Sequence, residues 1–144
     1  MKFRATLANR IAVALFALGA TLTSAVAAAD VIAVVSAKST VGSLTPNQLA
    51  DIFLGRVSRF PNGLLAVPID LYDGSPEREQ FYAKIAGKTP AQVKAYWSKI
   101  IFTGRGQPPK AVPTDLEVKK ILAANVAAIG YIDATQLDDS VRAL

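Results

Sequence analysis

The chain has 144 residues with no cysteine and no histidine, which excludes disulfides, thiolate metal sites, ordinary zinc sites and His-based catalytic triads. Its formal charge of +5 includes Lys2, Arg4 and Arg10 of a signal-type start; without them 13 Lys and Arg face 11 Asp and Glu, a net of +2. These charges alternate in sign and do not form the basic stripe of a nucleic-acid binder, so no nucleic-acid partner is expected, nor any metal or cofactor.

In chain order, a basic start is followed by the apolar run IAVALFALGATLTSAVAAA, which ends in small residues. That order is the pattern of a cleaved secretory signal over residues 1–29, with Ala25-Val26-Ala27 and Ala27-Ala28-Ala29 as cleavage sites. A lipid anchor would need a cysteine, so the expected product is free, soluble and periplasmic, beginning between Ala28 and Asp30. Residues 30–144 are one domain by size.

VIAVV (31–35) is a continuous β-branched run and predicts a strand buried on both faces. A polar loop containing Lys38, Ser39 and Thr40 follows. Thr45-Pro46-Asn47-Gln48 then predicts a capping box with proline in the first turn, opening a short helix that buries Leu49, Ile52 and Phe53 and ends at Gly55. LLAVPIDL (64–71) predicts a second strand, with Pro68 confined to an edge, a bulge or a strand end. Next, DLYDGSPEREQFY (70–82) runs from strand through a tight turn into a helix bearing Phe81, Tyr82 and Ile85, closed by Gly87.

Thr89-Pro90-Ala91-Gln92 repeats the capping box and opens the clearest helix. Its apolar residues Val93, Tyr96, Trp97, Ile100 and Ile101 fall at i, i+3, i+4, i+7 and i+8 and predict an inward stripe. Gly104 ends it, and QPPKAVP is read as a Pro-rich loop. Thr114 to Glu117 predicts a third box, with Val118, Ile121 and Leu122 facing inward. AIGYID (128–133) and SVRAL at the terminus predict two further strands. Strands alternating with helices argue an α/β fold with a mostly parallel sheet flanked by helices.

A strand entering a helix N-terminus through a tight turn is a common place for an anion. Asp73, Gly74, Ser75 and Arg78 are therefore ligand candidates. Capping accounts for the same turn, with Ser75 at the N-cap, Pro76 in the first turn and Glu77 favoured by the helix dipole. Ser39 and Thr40, after the first strand, and Asp70, Tyr72 and Asp73, after the second, would mark a cleft beyond strand ends. Arg105 in FTGRG (102–106) follows a helix, where it suits the last carbonyls; it is a ligand candidate only as a cation beside a cleft.

SLTPNQLADIFLGRVSRF, the strand into Asp73-Gly74-Ser75, YWSKIIFTGRGQPPK and AIGYID together resemble the phosphate-binding protein of phosphate-uptake ABC transporters. They are more similar still to short, exported, single-lobe relatives of it. The resemblance implies one lobe of a type 2 periplasmic binding protein. It also implies an Arg-x-Asp-Gly-Ser-Gly-Thr phosphate turn, against which this chain has Leu71, Pro76 and Glu77 at the Arg, second Gly and Thr positions. Two functional readings follow. One is a periplasmic solute-binding-like protein taking a small anion. The other is a ligand-free accessory lobe acting on an ABC transporter permease or a membrane sensor. An enzyme is not expected, since no acid pair stands beside a recognisable base.

Overall fold

The first strand, β1 (Val31–Ser36), lies inside the sheet. A computed structural model describes residues 30–144 from this strand onward; the expected signal lies outside the described residues. The elements that follow are α1 (Pro46–Phe53), β2 (Val67–Leu71), α2 (Pro76–Ala86), α3 (Pro90–Phe102), β3 (Lys110–Val112), α4 (Asp115–Ala124), β4 (Ala128–Asp133) and β5 (Val141–Ala143). They build one five-stranded sheet in the order β3-β2-β4-β1-β5. β2 pairs parallel with both β3 and β4, whereas β1 is antiparallel to β4 and β5. Four strands thus share one direction and β1 alone opposes them.

The helix starts follow from their sequences. Thr45 and Thr89 accept from the backbone N–H of Gln48 and Gln92, and each Gln side chain returns to the threonine N–H at 2.9 Å. At Thr114 only half of the expected box forms. Its hydroxyl accepts from Glu117 N–H, while the Glu117 carboxylate turns away to Lys120 at 3.2 Å. Pro68 sits where the sequence restricts it: β3 pairing begins only at Ile69, so the missing amide falls at an open strand end.

Alternation along β4 separates the two faces of the sheet. Tyr131 stacks on Phe81 of α2 at 4.0 Å between ring centroids and meets Phe53 of α1 edge-on at 5.8 Å. Gly130 points the other way, beneath α4, where a Cβ would stand 2.6 Å from Val118 Cγ1. Only glycine lets α4 approach that closely.

Three expectations need correction. QPPKAVP is not wholly a loop, because Lys110–Val112 pairs with β2 as a short edge strand. Leu64 and Leu65 stay outside β2 and are about half exposed. The α3 stripe buries Val93 and Trp97, but Ile101 is exposed and Phe102 is 92% exposed, since the last turn of the helix overshoots the core.

Candidate functional site

β2 ends in Asp70 and Leu71, and the turn Tyr72 to Gly74 delivers Ser75 to the N-cap of α2. Gly74 has φ +93°, a left-handed conformation that suits glycine. Ser75 is 1% exposed. Its Oγ accepts from Arg78 N–H at 3.3 Å and donates to Glu77 Oε2 at 2.8 Å. Glu77 therefore puts a carboxylate on the hydroxyl that an anion would use. Ser75→Ala is expected to lower folding stability by about 0.5–2 kcal/mol, the range for loss of such a cap, with little change in phosphate affinity. Urea denaturation and calorimetry on the same protein check both halves.

Behind the cap lies a buried carboxylate, Asp70, at 2% exposure. It accepts the hydroxyl hydrogens of Tyr82, at 2.7 Å, and of Tyr131, as well as the Leu71 N–H at 3.0 Å. Burial pushes its carboxyl above the ordinary range, against the opposing pull of these hydroxyls, the Arg78 guanidinium and the Leu71 amide. Burial and the Asp70 charge likewise raise both tyrosines, which remain protonated donors.

Arg78, one helical turn past Ser75, links this buried carboxylate to the surface. Its side chain is 18% exposed and its Nε stands 3.4 Å from Asp70 Oδ1. This is an ion pair without hydrogen-bond geometry, so the Nε–H remains an enclosed donor lacking an acceptor. Nη1 donates to Asp73 at 3.0 Å, and the guanidinium lies 5.6 Å from the Tyr82 ring centroid.

Asp73, Gly74, Ser75 and Arg78 thus come together, with Asp70 beneath them. Arg78 and Asp73 open onto a groove of about 300 Å³, which Lys94, Trp97 and Pro108 also line. A second groove of similar volume lies beyond Trp97, Pro108 and Pro109, toward Gly55 and Val57.

Ser39 and Thr40 do not join this site. β1 runs against β2 and β4, which puts its carboxyl end beside the start of β2, across the sheet from Asp70. There Arg142 of β5 donates to the carbonyls of Ser39 and Val41 and ties down the loop. The expectation of one cleft beyond both strand ends fails because the strands point in opposite directions. Arg105 is exposed, with its amide on the Ile100 carbonyl at 3.1 Å, and does not line the Arg78 groove. Leu71 is 2% exposed and packs in the core, so a cation at that position would be buried and would not face the turn. Sequence reasoning missed the link from Asp70 to Arg78. The acidic residue at the strand end and the arginine three residues after Ser75 were the available signals.

No protein-family model and no curated protein matches the sequence. Among solved structures, the chain is similar to a protein from Clostridium perfringens assigned as a phosphate ABC transporter substrate-binding protein, with phosphate bound (TM-score 0.63, 22% identity). It is also similar to an ABC-type phosphate transport receptor from Vibrio cholerae (0.59, 20%) and to a protein from Planctomyces limnophilus assigned as phosphate-binding (0.58, 15%). Each match covers 79% of this chain but only 43%, 44% and 40% of the respective neighbour. The chain is a partial structural relative of these phosphate-binding proteins, with their α/β fold over most of its own length and less than half of theirs.

Proposed function

We propose that the chain is an exported, solute-binding-like protein that takes a small anion beside Arg78 and works with an ABC transporter permease. The observation that carries this reading is the position of Arg78. In a fold shared with phosphate-binding proteins, β2 runs through Asp73-Gly74-Ser75 into α2, and a guanidinium stands where that turn opens onto a groove. Inorganic phosphate is a poor fit to the turn as it stands. Glu77 holds Ser75, Asp73 and Asp70 hold Arg78, and Pro76 brings no amide. A phosphate would have to displace one carboxylate while facing the others, and like charges at contact distance repel by roughly a kcal/mol or more.

The test is calorimetry on residues 30–144 with phosphate, sulfate and small carboxylates. Phosphate is expected to bind weakly, and Glu77→Thr should strengthen it by freeing Ser75 Oγ. Arg78→Gln should remove the response to phosphate and sulfate. A ligand at a hundred times its dissociation constant adds about 2.7 kcal/mol to stability. If no anion in the panel shifts melting, the solute-binding reading fails. Export is checked by mass spectrometry of the periplasmic fraction, where an N-terminus between Ala28 and Asp30 is expected; intact Met1 in the membrane fraction would overturn it.

A further inference from the structure

The groove beside Arg78 has more on its walls than an inorganic oxyanion uses. Arg78 already faces two carboxylates, Asp70 at 3.4 Å and Asp73 at 3.0 Å. Lys94, exposed on α3, is in no ion pair among the described residues, so it is the cation of the groove that no carboxylate holds. The remaining wall is largely apolar and includes Trp97, Ile101, Pro108 and Pro109. Ile101 stands about half exposed there.

Trp97 is 6% exposed and its indole N–H is enclosed, so the wall it lends the groove is apolar. The volume of about 300 Å³ matches the lower end of small-molecule sites, far more room than a tetrahedral oxyanion fills.

We propose that this groove takes an organic monoanion, a carboxylate carried on an apolar body, in preference to inorganic phosphate. The inference rests on the solute-binding reading and names its ligand class. Lys94 meets the single charge, and the body lies against Trp97, Ile101 and the two prolines. A second negative charge would find only Arg78, which is already held by two carboxylates.

Trp97 is the chain's single tryptophan, so its emission reports on this groove. Residues 30–144 are titrated with benzoate, cyclohexanecarboxylate, benzamide and inorganic phosphate, with calorimetry in parallel. Both carboxylates should shift the emission saturably, in the millimolar range or tighter. Benzamide, with the same body and no charge, should bind about tenfold more weakly, the ratio for roughly 1.4 kcal/mol of lost charge pairing. Lys94→Gln, an exposed helix substitution, should weaken the carboxylates by a similar factor and leave the circular-dichroism melt unchanged. Equal binding of benzoate and benzamide, or indifference to Lys94→Gln, would overturn the inference. Phosphate binding that depends on Arg78, with neither carboxylate bound, would keep the solute-binding reading and sink this one. Silence toward every anion, phosphate included, would sink both.

Discussion

Asp70→Ala is expected to destabilise the domain by about 3–5 kcal/mol, the cost of breaking a buried ion pair by removing one partner. The carboxylate accepts from Tyr82, Tyr131 and the Leu71 amide, and it faces Arg78 Nε. Its removal leaves two buried hydroxyls and a guanidinium without their acceptor. Urea denaturation at neutral pH measures the loss, and an unchanged midpoint would show that the network contributes nothing. Asp70→Asn keeps the shape but removes the titration, and so isolates the effect of pH. Because burial raises the folded carboxyl above its ordinary 3.8, the stability linked to this group is full below that value. It declines as pH rises through the folded pKa. The stability difference between wild type and Asp70→Asn should therefore shrink with rising pH across that window.

Trp97→Ala should cost about 3–5 kcal/mol, the range for a large aromatic truncated in a core. Trp97 packs edge-on against Tyr96, with ring centroids 5.2 Å apart. Its six-membered ring closes on Gly55, where an added Cβ would stand 3.2 Å from Cη2. It therefore fixes α3 against the end of α1, and the Tyr96 hydroxyl reinforces the same junction by donating to the Leu54 carbonyl at 2.7 Å. Far-UV circular dichroism in urea reads the loss without relying on tryptophan emission. A midpoint equal to that of the wild type would show that Trp97 is not a core residue.

Local signals in the sequence were enough for most of the elements. Thr-Pro at Thr45 and Thr89, with glutamine three residues after each threonine, states a helix start in chemistry that acts within one turn. Gly87 states an end in the same way. AIGYID and VIAVV state burial through their β-branched and aromatic residues. Direction, however, is not local. Nothing in VIAVV says that β1 opposes its neighbours, and that one missing fact moved Ser39 and Thr40 to the wrong end of the sheet. β3 was hidden for a related reason: three residues behind two prolines become a strand only because β2 has an open edge beside them. At the candidate site the Ser75 cap was legible, and so was the intrusion of Glu77. The Asp70–Arg78 pair was not, since it requires a strand end and a position one helical turn later to meet across a turn whose geometry the sequence does not state.

The position of β1 between β4 and β5 bears on when the domain can form. Val31 pairs with Asp133 and Val34 with Ala143, partners about a hundred residues apart, so the sheet closes only through long-range contacts of the kind that slow folding. A nascent chain that has not yet reached β5 has nothing to cover β1, and Val34 and Val35 would lie along an open sheet edge that invites pairing with other chains. β5 thus acts as the latch of the sheet, and β1 keeps one edge open until that strand has been made.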